Sequence, residues 1–90
     1  MDELERKFPF LTEKFVTSTN THYLGGYLND NHIMISRQND QYVLTLNSIH
    51  LIVCIGCVQE IIDAINKLVN KETVQPNIMA ILMRRIIYNM

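Results

Sequence analysis

The one short motif in this chain with a chemical reading is Cys54-Ile55-Gly56-Cys57. It lies where a strand-like apolar run meets a helix start, and a helix N-terminus stabilises a thiolate placed there. A redox C-x-x-C of that kind belongs to a βαβ unit, whereas the residues before Cys54 read as an antiparallel meander. With His50 the pair makes an H-x3-C-x2-C spacing that could supply three zinc ligands, the fourth coming from His22 or His32. The neighbourhood argues against both chemistries. Leu51, Ile52, Val53 and Ile55 are apolar, and free cysteines in such surroundings commonly serve as small core residues. The inert reading is therefore preferred and no metal or cofactor is expected. His50, Cys54 and Cys57 carry the alternative of a zinc- or thiol-dependent protein.

Other catalytic constellations are missing from the sequence. His22, His32 and His50 have no placed nucleophile and orienting carboxylate to work with. Ser36 and Ser48 lie in no G-x-S-x-G context. Asp30 and Asp40 fall in turn sequences, where they shape the backbone and are not paired for general acid and base work. Gly25-Gly26 matches neither a dinucleotide fingerprint nor a phosphate loop. The expectation is a protein that is not an enzyme.

Charge narrows the partners. Eight Lys+Arg against nine Asp+Glu leave a net charge of −1, so no global field holds a nucleic acid or an anionic membrane. Arg6-Lys7 and Arg84-Arg85 are the only adjacent basic pairs. Tyr23, Tyr27 or Tyr42 could stack bases on a sheet face, but they lack a basic surround, so nucleic-acid binding is a second, weaker alternative. The acidic start, Met1-Asp2-Glu3-Leu4-Glu5, is not a secretory signal. The apolar runs Leu51 to Val58 and Ile78 to Met83 fall far short of the about 18 residues a spanning helix requires. Two cysteines make no disulfide framework, which agrees with a cytoplasmic, reducing location and no membrane partner. Twelve Ile and nine Asn, with few Ala, Gly and Pro, fit AT-rich coding sequence such as that of a low-GC bacterium, phage or virus.

Ninety residues, 48% apolar and 19% charged, make a single globular domain spanning 1–90. A chain of this size buries only about 60 to 65% of its unfolded surface, so association would add useful burial. Its elements follow from periodicity. Leu4, Phe8, Leu11 and Phe15 recur at helical spacing from Asp2 to about Val16, with Pro9 either kinking that helix or opening a new one. Strands are expected at His22 to Leu28, His32 to Arg37 and Gln41 to Leu46, separated by Asn29-Asp30-Asn31 and Gln38-Asn39-Asp40. Gly25-Gly26 suggests a bulge or a close backbone approach within the first of them. Leu51 to Ile55 suits either a buried fourth strand or a lead-in to the next helix.

That helix is the clearest element, with Val58, Ile61, Ile62, Ile65, Leu68 and Val69 on one face and an Asp63–Lys67 pair on the other. A final helix should begin near Pro76 and run to about Tyr88. The expected fold class is thus α+β: an N-terminal helix, a three- to four-stranded antiparallel meander, and two C-terminal helices packed on the sheet.

Ten of the thirteen residues from Ile78 to Met90 are apolar, more than a helix lying on one sheet can bury. A second copy of the chain would cover the remainder, through Ile78, Met79, Ile81, Leu82, Met83, Ile86, Ile87 and Met90. The alternative is a central helix of the monomer, between the sheet and the N-terminal helix. The function expected from sequence is a small intracellular module that binds an unidentified protein partner stoichiometrically, as a homodimer. Its most concrete form is a virus- or phage-encoded modulator of a host protein.

Overall fold

The computed structural model describes residues 1–56 and 58–76. Within them the order of elements is α1 (Asp2–Lys7), β1 (Glu13–Val16), β2 (His22–Leu28), β3 (Asn31–Gln38), β4 (Gln41–Leu46), β5 (Ile49–Ile55) and α2 (Gln59–Val69). The strands form one sheet in the order β1-β2-β3-β4-β5, every neighbouring pair antiparallel. The domain is α+β and the meander expected from sequence is present, with five strands instead of three or four. The final helix expected from Pro76 onward, and with it every residue from Ile78 to Met90, lies outside the described residues, as does Cys57.

Three of the strand connections are two-residue turns: Asn29-Asp30, Asn39-Asp40 and Asn47-Ser48. Each has asparagine first, at positive φ: 51° at Asn29, 53° at Asn39 and 49° at Asn47. Turns of this hand match the right-handed twist of the strands they join, and asparagine is the non-glycine residue that best tolerates the conformation. Local sequence therefore sets the register of β2 through β5.

The helix expected from Asp2 to Val16 is corrected. α1 stops at Lys7, and Phe8 adopts φ −129°, ψ 80°. Pro9 causes this, since its ring excludes the residue before it from helical geometry. Neither a kinked helix nor a new helix follows. The chain turns, Leu11 N donating to Phe8 O at 3.0 Å, and enters β1. Leu4, Phe8 and Leu11 are buried as the stripe suggested, but Phe15 sits on an edge strand and is 51% exposed.

The returning segment at Phe10 and Leu11 crosses the core face of the sheet over Gly26, so closely that a Cβ there would run into the Phe10 carbonyl. Of the two readings of Gly25-Gly26, the close approach holds and the bulge does not, because β2 and β3 pair without a register shift. The bulge is in β5. Thr45 stands opposite His50 and Leu44 opposite Ile52, which leaves Leu51 as the extra residue. That extra residue lets both Leu51 and Ile52 join the core and explains why the apolar run there does not alternate.

One face of the sheet carries the core. Leu24, Ile35, Leu44 and Ile52 lie opposite one another in a row across β2 to β5, and Leu4, Phe8 and Leu11 from the N-terminal segment close on them with Ile61, Ile62, Ala64 and Ile65 of α2. α2 keeps the expected face with two changes: Val69 is exposed, and Asp63 accepts from Gln59 Nε2 at 2.8 Å instead of pairing with Lys67.

Candidate functional site

The zinc and thiol candidates do not come together in the sheet. His50 stands opposite Thr45 and Cys54 opposite Tyr42, residues of opposite parity on β4, so the two side chains leave β5 on different faces. Without the extra residue at Leu51, positions four apart would share a face, so the bulge is what separates them. Cys54 is a buried thiol within the core cluster, and His50 is exposed. His22 lies on the core face and His32 on the outer one. No group of three potential metal ligands occurs among the described residues. Native Cys54 is expected to react with a thiol reagent roughly a hundredfold more slowly than a free thiol, because reagent access requires opening of the core. A stopped-flow titration of the Cys57→Ser chain measures this, and rapid modification of the folded chain would contradict it.

A cleft of about 420 Å³ opens between α1 and the core face of β1 and β2. Its floor is Val16, His22 and Leu24, and its rim is Glu5, Lys14 and Arg37. Lys14 Nζ approaches Glu5 Oε1 at 3.4 Å, the lysine exposed and the glutamate half-buried. Arg37 donates through Nε to the Asn39 carbonyl at 3.1 Å and lies 6.0 Å from the centre of the Tyr42 ring. No serine, threonine or cysteine lines the cleft among the described residues.

The outer face of the sheet is the more distinctive surface. Alternation along β1 to β3 sends Phe15, Tyr23, Tyr27, His32 and Met34 outward, opposite to Leu24, Ile33 and Ile35. The rings are in contact. Phe15 and Tyr23, directly opposite in register, stack at 4.7 Å and 14°, and Tyr27 and His32 lie 4.9 Å apart. His32 Nε2 donates to Glu13 Oε1 at 3.2 Å, which ties β1 to β3 across β2. The backbone of His32 is held in turn by Asn47, whose Oδ1 accepts from His32 N at 2.9 Å while its Nδ2 donates to Asn31 Oδ1 at 2.9 Å. Met34 fills the space over Gly25, where a Cβ would lie 3.1 Å from its sulfur.

Electrostatics separate this face from the nucleic-acid alternative. The parity that turns Phe15, Tyr23 and Tyr27 outward turns Lys14 and Arg37 to the other side of the sheet. The outer face of β1 to β5 therefore holds the Glu13 carboxylate and no lysine or arginine. A stacking platform for a single strand combines rings with cations, and here the two are on opposite faces.

Sequence reasoning placed the tyrosines on a sheet but missed Phe15, which it assigned to a helical stripe. A signal was available in Phe15-Val16-Thr17, an aromatic residue followed by two β-branched ones, which is strand composition. No family model, curated protein or solved structure matches the chain.

Proposed function

We propose that this chain is a small non-enzymatic module that acts by stoichiometric protein binding, working as a homodimer joined through Ile78, Met79, Ile81, Leu82, Met83, Ile86, Ile87 and Met90. The observation that supports protein binding is the outer face of β1 and β2, where Phe15 and Tyr27 are 51% and 65% exposed on a surface without lysine or arginine. Exposed aromatic rings with few charges are the composition of interface centres, and an apolar surface left to water has a cost that a protein partner removes. The dimer rests on the apolar content of the last thirteen residues and on the limited core of a 90-residue domain.

Light scattering on a size-exclusion column tests the dimer. At tens of micromolar the expected mass is twice the 10.5 kDa of one chain, and the Ile86→Asp/Ile87→Asp variant should fall to the single-chain mass. A strictly monomeric wild type ends the homodimer reading. For the binding surface, a protein retained by the immobilised wild-type chain should be lost from the Phe15→Ala/Tyr27→Ala variant while the urea midpoint of that variant stays close to wild type. Equal retention by both would remove the aromatic face from the proposal.

A further inference from the structure

The outer face is not equally open along its width. Phe15, Tyr27 and Ile55 are well exposed, but Val43 of β4 and Val53 of β5, opposite each other in register, are only 8% and 3% exposed. Both point away from the core face, and neither belongs to the hydrophobic cluster that α1, α2 and the N-terminal segment complete. On β3 the residue opposite Val43 is Ser36, whose side chain is too small to shield it. Beyond Val53 the sheet ends, since β5 is an edge strand. Two valines between a serine and a sheet edge stand in water unless something lies on them. Among the described residues no helix does so, because α2 buries Ile61, Ile62 and Ile65 against the core face.

The place where the described chain ends narrows the occupant. Val74 packs on the core cluster, and Val74 and Gln75 lie beside Ile52, Ala64 and Lys67. Ile52 is the neighbour of Val53 on the same edge strand, so the chain reaches Pro76 one sheet thickness away from the buried valines. Fourteen residues follow, from 77 to 90. Even fully helical they extend about 20 Å, enough to round the edge of β5 and lie over Val43 and Val53. Their chemistry suits the surface: ten of the last thirteen residues are apolar. A tethered segment also meets its own sheet at a far higher effective concentration than it meets another copy.

We infer that residues 77–90 dock on the β4–β5 half of the outer face of their own chain, over Val43 and Val53, and leave the Phe15 and Tyr27 half open to a partner. This deepens the homodimer reading. The segment has more apolar surface than half a sheet can cover, so docking on one side leaves the other for the second copy.

Methyl-labelled full-length chain, studied by NOE spectroscopy alone and as an isotopically mixed sample, tests the inference. The expected result is intrachain NOEs from the Val43 or Val53 methyls to Ile, Leu or Met methyls of residues 77–90. Contacts from those valines found only between differently labelled chains would overturn it, because the occupant would then be the second copy. Absence of any such contact, with the methyls of 77–90 at random-coil shifts, would overturn it as well. The mass by light scattering separates this outcome from that of the dimer: a single-chain mass with intrachain contacts sinks the homodimer and keeps the docking.

Discussion

Gly26→Ala should destabilise the domain by about 3 kcal/mol or more, while Gly25→Ala, one residue earlier, stays within about 1 kcal/mol of wild type. At Gly26 an added methyl would drive into the Phe10 carbonyl with the Phe10 carbonyl carbon and Leu11 Cα close behind. All of these are backbone atoms. They belong to the segment that carries Phe8 and Leu11 across the sheet, so relief requires lifting two buried side chains out of the core. At Gly25 the closest atom to an added Cβ is the Met34 sulfur at 3.1 Å, the end of a flexible side chain on the outer face, with the Ile33 carbonyl oxygen at 3.2 Å. Methionine rotates away at little cost, and alanine loses less backbone entropy on folding than glycine does. A domain of this size has about 5 to 13 kcal/mol of stability, so a urea midpoint resolves the two outcomes clearly. Similar midpoints for the two variants would show that the Phe10 segment does not bear on Gly26 in solution.

Ile35→Ala is expected to cost about 4 kcal/mol, and Ile55→Ala less than about 0.5 kcal/mol. Ile35 is fully buried at the middle of the central strand, flanked by Leu24 and Leu44 in the row on which both helical segments close. Truncation there removes the transfer free energy of three carbons and leaves a cavity whose walls are held by neighbouring strands and cannot collapse. Ile55 lies at the end of β5 and is 74% exposed, so its truncation vacates no packed volume. Equilibrium urea unfolding followed by circular dichroism measures both. A loss below about 1.5 kcal/mol at Ile35 would mean that the core row is not packed as described.

The elements legible in the sequence are those whose signals are local. β2, β3 and β4 were readable because asparagine-led turns bracket alternating segments, and α2 because its apolar face repeats over three turns. The first sixteen residues were misread because a stripe at helical spacing also results when a short helix, a turn and a strand each put one apolar residue on the same core. Leu4, Phe8 and Leu11 share that core although they share no helix. The H-x3-C spacing of His50 and Cys54 does not bring the two onto one face, for a related reason. Spacing places two side chains on one face only if the strand between them is regular, and β5 carries an extra residue at Leu51.

Sequence alone determined the α+β class of fold, the asparagine-led turns that bracket β2, β3 and β4, and the amphipathic face of α2. Those follow from turn residues and from periodicities that act over a few positions. Tertiary structure decided which face each residue occupies. It turned Phe15, Tyr23 and Tyr27 outward with Glu13 and sent Lys14 and Arg37 to the other side, and it parted His50 from Cys54. Facing depends on strand parity, and one inserted residue or one edge strand in place of a helix reverses it, so a surface that joins rings from β1 and β2 exists only once the sheet is assembled.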